Sequence, residues 1–351
     1  MQENNHTHTP KISLEGKRLL VVGAGGFIGG FICAEGARRG MDVTAAVRET
    51  TSRRYLDNPA FKFLVLDYDD KAQMERAIAE AEPWDYIIYN LGATKAAGGF
   101  PEFNKVNFEY LRAFVETLKA AGKVPRRLLF MSSLSALGPG DEKGYAPLTS
   151  DMVPEPNTRY GLSKIKAEQY LEHLSGIPWI IFRPTGVYGP HEKDYLMMIQ
   201  AIDRHFDFSV GLRKQMLTFI YVDDLVEAMF RALESGVERK KYIISEDRAY
   251  TQKEFRSIVA EELGAKFVIP VRLPMPLVWI ASFVAEKIGQ ARLKPSTLNR
   301  DKFKIMRQRN WNADISDAKR DFGFDPRFSL RDGIRATVKA YLEEKNKAKN
   351  R

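Results

Sequence analysis

Arg18-Leu19-Leu20-Val21-Val22, followed by Gly23-Ala24-Gly25-Gly26-Phe27-Ile28-Gly29-Gly30, is the stretch that decides the fold. A short apolar run of this kind matches a strand buried on both faces of a sheet. Gly23, Gly26 and Gly29 then recur at three-residue spacing where a helix opens. A strand that turns into a helix through glycines brings bare backbone N–H groups to the helix N-terminus, where a pyrophosphate is held. A Cβ at Gly26 would keep phosphates away, and its absence at Gly29 lets the helix lie close to the sheet. The reading is a dinucleotide-binding unit with Gly23, Gly26, Phe27, Ile28 and Gly29 around the cofactor. A purely structural turn is the rival, since the spacing is G-x-x-G-x-x-G and not G-x-G-x-x-G.

Outward from this unit, strand-like runs alternate with helical patterns. Candidate strands are Arg18–Val22, Asp42–Val47, Phe61–Leu66, Asp85–Asn90, Arg127–Met131 and Trp179–Phe182. Asp70–Ala81 and Glu102–Ala121 have helical spacing, the latter with Phe108, Leu111, Phe114 and Leu118 on one face. Such alternation predicts an α/β fold, a Rossmann-type doubly wound parallel sheet. After about residue 185 the pattern changes. Asp224–Leu233 reads as a helix opened by Asp224-x-x-Glu227, Tyr242–Ser245 as a strand and Gln252–Leu263 as a helix. Leu330, Ile334, Val338 and Leu342 keep a step of four in a last helix.

The expected division is therefore a disordered N-terminal segment at 1–14 and an NAD(P)-binding domain at 15–185, to which 217–248 returns. Residues 186–216 and 249–343 form a smaller, mostly helical substrate-binding lobe, and 344–351 a basic tail. Ligands of such sheets lie beyond the C-terminal strand ends, here facing the second lobe.

The chain has 351 residues, with 44% hydrophobic and 28% charged, ordinary for a soluble globular protein. Its net charge of +9 raises nucleic acid as a partner. The bases are not interleaved with aromatics in a known motif, so no nucleic acid is expected. The basic stretch Lys287–Arg309 reads as a solvated face, with an anionic substrate or a membrane surface as alternatives. Leu273–Ala285 is apolar on nearly all sides yet short of the roughly 20 residues that span a bilayer. A helix capping the active site or packed in the lobe is favoured over a lipophilic substrate mouth or a rest on a membrane surface. Cys33, the sole cysteine, lies among apolar residues and reads as a core thiol. The first residues lack a signal-peptide pattern, so a cytoplasmic protein is expected. The five histidines show no ligand spacing, and no metal is expected.

Cofactor choice is written after the second strand, which ends Ala45-Ala46-Val47-Arg48. An acid there would bind the ribose hydroxyls of NAD. Asp42 lies at the wrong end, whereas the Arg48 guanidinium would pair with a 2′-phosphate. NADP is expected over NAD.

Tyr160-Gly161-Leu162-Ser163-Lys164 places a phenol and an ammonium on one helical face. A free tyrosine, with a pKa of ~10, is a poor acid–base group near neutrality. The nearby Lys164 cation is expected to favour the phenolate and to hold the nicotinamide ribose. Tyr160 would then exchange a proton with a substrate oxygen. Leu129-Phe130-Met131-Ser132-Ser133 ends a strand at the cleft, where Ser133 would donate to the same oxygen. Ser133, Tyr160 and Lys164 are the candidate catalytic group.

With these motifs, the chain resembles the extended short-chain dehydrogenase/reductases, also described as the NAD-dependent epimerase/dehydratase superfamily. The resemblance spans about Lys17 to Leu342 and takes in Arg183-Pro184-Thr185-Gly186-Val187-Tyr188-Gly189-Pro190 and Tyr221-Val222-Asp223-Asp224. It implies that Leu91, Gly92 and Ala93 border the cofactor, Asp67 and Tyr68 adenine, and Pro184, Gly186 and Val187 the nicotinamide. It also implies that Asn107 steadies the active-site backbone. A homodimer would form through Glu102–Ala121 and Arg159–His173.

Carbonyl redox, sugar-nucleotide epimerisation and dehydration share this scaffold. The 4,6-dehydratases carry an Asp-Glu pair where this chain has Leu134 and Ser135, so dehydration is not expected. Epimerases typically place an asparagine after the strand ending near Arg183, and none is present there. The wording is nearer the 3β-hydroxysteroid dehydrogenase and dihydroflavonol reductase-like branch, which implies redox at an alcohol or ketone of a small molecule, a lipophilic one among the candidates. Epimerisation and a non-catalytic NADP sensor are the alternatives. Ser133, Leu134, Ser135, Tyr160 and His191 are the candidate substrate contacts.

Overall fold

In the first strand, Leu19 and Val21 join one apolar core while Leu20 and Val22 join another, so the strand is buried on both faces. The structure is a computed structural model and describes residues 11–292, 294 and 296–349. Its strands are β1 (Arg18–Val22), β2 (Asp42–Val47), β3 (Lys62–Val65), β4 (Tyr86–Tyr89), β5 (Arg127–Met131) and β6 (Trp179–Pro184). There follow β7 (Gly186–Tyr188), β8 (Phe206–Val210), β9 (Met216–Tyr221), β10 (Lys240–Ile244), β11 (Ala249–Thr251) and β12 (Ile269–Leu273).

Seven strands form one parallel sheet in the order β10-β6-β5-β4-β1-β2-β3. Helices Phe27–Arg38 and Val222–Ser235 cover one face, and Lys71–Glu80, Tyr110–Ala120 and Arg159–Glu172 the other. This is the doubly wound α/β sheet the alternation predicted. From β3 the chain crosses back to place β4 beside β1, so the order reverses there and opens a crevice at the strand C-termini.

The second lobe is built differently from the expectation. Of 217–248, the helix Val222–Ser235 packs on the main sheet and β10 joins it; β9 pairs with β7 and β11 in a three-stranded sheet, and β8 pairs with β12 in a separate ribbon. A strand pattern gives no hint of its partner when the partner lies tens of residues away. The helix Val222–Ser235 starts earlier than expected, and the Asp224 carboxylate does not cap it. Instead it accepts from the N–H groups of Arg327 and Phe328 at 3.0 and 2.9 Å, tying the C-terminal segment down.

Both chain ends also depart from the reading. Residues 1–10 lie outside the described residues, but Leu14 is buried and the Ile12 N–H donates to the Glu234 carbonyl at 2.8 Å. The last helix runs Leu330–Lys349, held past 343 by Lys345, which pairs with Asp203. Residues 350–351 of the expected tail lie outside the described residues. Cys33 is fully buried, and burial pushes its thiol up to about 12, which makes it inert.

Candidate active site

The glycine loop has the backbone that only glycine permits. Gly23 adopts φ +84°, and a Cβ there would stand 2.8 Å from the Leu91 N in the loop after β4. At Gly29 a Cβ would stand 2.3 Å from the Gly23 carbonyl oxygen, closing the approach of helix to strand. The helix Phe27–Arg38 begins after Gly26 with no side chain capping its first turn. Its leading N–H groups thus face the crevice unpartnered by any cap, which suits a pyrophosphate.

A continuous cavity of about 1060 Å³ runs from this loop, across the ends of β4, β5 and β6, into the second lobe. Gly23, Gly26, Phe27, Ile28, Arg48, Tyr68, Leu91, Gly92, Pro184, Gly186 and Val187 line it, with Ser133, Leu134, Ser135, Tyr160 and Lys164 at its middle. Four of the expected residues lie elsewhere. Gly29 packs behind the loop. The Asp67 carboxylate turns to solvent and accepts from the Asp69 N–H at 2.9 Å. His191 stacks on Tyr55 with ring centroids 4.6 Å apart. Ala93 is held from behind by Asn107, whose amide accepts from its N–H at 2.7 Å and donates to its carbonyl at 3.0 Å.

Asn107 steadies the backbone because the expected helix is not one helix. Phe100–Asn104 leads into a π-turn at Lys105–Glu109 and then Tyr110–Ala120. The wider turn brings Asn107 inward, where it also donates to the Ser163 hydroxyl at 2.8 Å. Ser163 in turn donates to the Tyr160 carbonyl at 2.7 Å. The loop after β4 and the helix carrying Tyr160 are thus joined through one amide.

Tyr160 opens the helix Arg159–Glu172, whose N-cap Thr158 accepts from Gly161 N–H at 2.9 Å. Its own N–H donates to Asp301 at 3.1 Å, a partner from the second lobe. Burial pushes the Tyr160 phenol up to about 12, and the Ser133 hydroxyl bonded to it pulls partly the other way. Lys164 does not contribute to this shift. Its ammonium donates instead to the Met131 carbonyl at 2.8 Å. Burial lowers Lys164 to about 8, opposed by the Glu168 charge one turn on. Beneath, Arg183 and Glu168 form a fully buried ion pair at 2.6 Å, and Ser132 donates to the same carboxylate.

Sequence reasoning missed most of the outer half. Phe206, Phe208, Val210, Leu298, Ile305 and Met306 line it beside Met197 and Met198. Among the described residues the cations lining the whole cavity are Arg48, Lys164 and Lys302. Lys302 is bound to Asp194 at 2.9 Å, which Lys95 also holds at 2.8 Å. No group of three or more metal-ligating side chains occurs among the described residues.

Residues 19–245 match the sequence model of the NAD dependent epimerase/dehydratase family. A dTDP-glucose 4,6-dehydratase of Neisseria gonorrhoeae is 24% identical over 96% of this chain and 99% of its own. A 3beta-hydroxysteroid-dehydrogenase/decarboxylase of Arabidopsis thaliana is 26% identical over 82% of this chain and 69% of its own. A ceramide reductase of Caulobacter vibrioides is 24% identical over 92% and 94%. Among solved structures, the Thermus thermophilus UDP-glucose 4-epimerase complexed with NAD superposes with a TM-score of 0.74. It is 21% identical and covers 93% of this chain and 99% of that one. The chain is a member of the NAD dependent epimerase/dehydratase family, within the extended short-chain dehydrogenases/reductases.

Proposed function

We propose that this protein is an NADP(H)-dependent reductase of a ketone carried by an elongated lipophilic molecule. The observation that carries the reading is the cavity itself: hydroxyls of Ser133 and Tyr160 at its middle, a glycine loop at one end, and at the other a mostly apolar half that Glu192, Asp194, Asp207, Gln215 and Gln252 also line. Arginine and lysine are the side chains best suited to a sugar nucleotide's diphosphate. Of the three lining cations, Arg48 lies at the cofactor end, Lys164 in the catalytic group, and Lys302 is already paired with Asp194. The steroid dehydrogenase and ceramide reductase relatives favour the same substrate class by their names. The dehydratase relative is matched without its chemistry, because Leu134 and Ser135 offer no carboxylate.

When bound, NADPH would supply the hydride. With its phenol held up to about 12, Tyr160 is protonated at neutral pH and serves as the acid that donates to the carbonyl oxygen. Ser133 donates a second hydrogen bond to that oxygen and fixes its position. Lys164, charged below about 8, stabilises the phenolate left behind until solvent reprotonates it. The carbonyl carbon gains the hydride, its oxygen gains the proton, and an alcohol forms. Arg48 would hold the 2′-phosphate. The half-buried Phe108 and Tyr170 on the outer helices, in edge contact at 6.2 Å, suit a homodimer, tested by sedimentation of the purified chain.

The test supplies NADPH and a long-chain ketone and follows reduced cofactor against alcohol formed. One-to-one consumption is expected. Interconversion of a UDP-sugar without net cofactor change, and no turnover of apolar ketones, would overturn the reading in favour of epimerisation.

A further inference from the structure

The helix Met275–Ala291 turns its apolar side outward. Inward it presents Val278, Ser282, Glu286 and Gly289. Ser282 donates to the Val278 carbonyl at 2.6 Å, and Glu286 is bound by Arg159 and Arg300 at 3.0 and 2.9 Å. Outward stand Leu277, Ile280, Val284 and Ile288, exposed by 61, 52, 48 and 48% and spaced along one stripe. Trp279 stacks on Phe283 beside them at 6.0 Å. A helix on a water-facing surface carries the opposite arrangement.

Two further observations say what covers this face. The first is charge. Between Gly264 and Leu298 the chain carries Lys266, Arg272, Lys287, Arg292 and Lys294, and a single acid, Glu286. That acid is buried and paired, so the surface of the segment is apolar and positive. A second copy of the chain would set these bases against their own kind, with no exposed carboxylate in the segment to answer them. The second is continuity with the cavity. Val278 on the inner side packs in one cluster with Val210, which lines the cavity. Phe206 and Phe208 line it too, yet are exposed and stacked at 6.1 Å, so the apolar wall runs out to the surface.

We propose that this face docks on the surface of an anionic lipid bilayer. Leu277, Ile280, Val284 and Ile288 enter the acyl boundary and the surrounding bases meet the headgroup phosphates. No helix among the described residues is long and apolar enough to cross a membrane, and the proposed contact is one of the surface. The cavity mouth at Phe206 and Phe208 then opens beside the lipid. Docking does not depend on the reductase reading, because it is measured without turnover.

The test is co-sedimentation of the full chain with phosphatidylcholine vesicles, alone or with about 30% phosphatidylglycerol. Binding at least about ten-fold stronger to the anionic vesicles is expected, and lost in high salt. Ile280→Glu with Val284→Glu should weaken it about ten-fold or more while NADPH affinity is kept. Lys287→Glu with Arg292→Glu should also weaken it, and this pair serves as the test should the first variant fold poorly. Absence of binding to anionic vesicles would overturn the proposal. So would undiminished binding by either variant, or a solution dimer that Ile280→Glu with Val284→Glu converts to monomer.

Discussion

Glu168→Gln removes one charge from beneath the active site and has two calculable consequences. Arg183 and Glu168 are both fully buried. The Arg183 guanidinium makes contacts to that carboxylate at 3.2, 3.1 and 2.6 Å, and one to the Ser150 carbonyl at 2.9 Å. Breaking a buried pair by neutralising one partner costs ~3–5 kcal/mol, because the remaining charge is stranded. Glutamine keeps one acceptor oxygen, so a loss near the lower end, ~3 kcal/mol, is expected. Urea unfolding followed by far-ultraviolet circular dichroism measures it. A Glu168→Met, Arg183→Met double variant should be less destabilised than either single change, since no buried charge is then left over. The second consequence is in the pH profile. The Glu168 charge raises Lys164 against burial, which alone lowers it. Without that charge Lys164 falls below about 8. A lysine is charged below its pKa, so the alkaline decline of kcat/KM should begin at lower pH in the variant. A stability loss under ~1 kcal/mol would refute the buried-pair argument. An alkaline limb that stays put or moves upward would refute the assigned role of Lys164.

Three other outcomes are expected. Tyr160→Phe should lower kcat by roughly 10²- to 10⁴-fold, the worth of a general acid, with cofactor affinity by fluorescence titration nearly unchanged. Full activity would remove Tyr160 from the reaction. Arg48→Ala should weaken NADPH roughly 10- to 150-fold, equivalent to the ~1.5–3 kcal/mol of hydrogen bonds to a charged group. NADH affinity should move little, and equal loss for both cofactors would refute the phosphate contact. Gly29→Ala drives a methyl to within 2.3 Å of the Gly23 carbonyl. It should cost ~1–3 kcal/mol by overpacking and weaken both cofactors together in calorimetric titration.

The sequence by itself determined the nucleotide half of this protein. The apolar run 18–22, the glycines at 23, 26 and 29, and the Tyr160–Lys164 step each express their geometry within a few residues. Strand and helix periods are local, so β1, β2 and β5 have the very bounds the pattern predicts. Tertiary structure decided the rest. β8 finds β12 about sixty residues later, with Ile269 opposite Phe206, and that pairing builds the apolar mouth. Asp194 meets Lys302 across the lobe and pairs the cation that lines the outer part of the cavity. The π-turn at Lys105–Glu109 brings Asn107 inward, where it braces Ala93. The environment of Tyr160 is likewise a product of folding. The Y-x-x-x-K spacing suggests a lowered phenol, whereas burial raises it, and the Lys164 ammonium donates to the Met131 carbonyl. Desolvation depends on every segment packed around a group, and no window of sequence contains that sum.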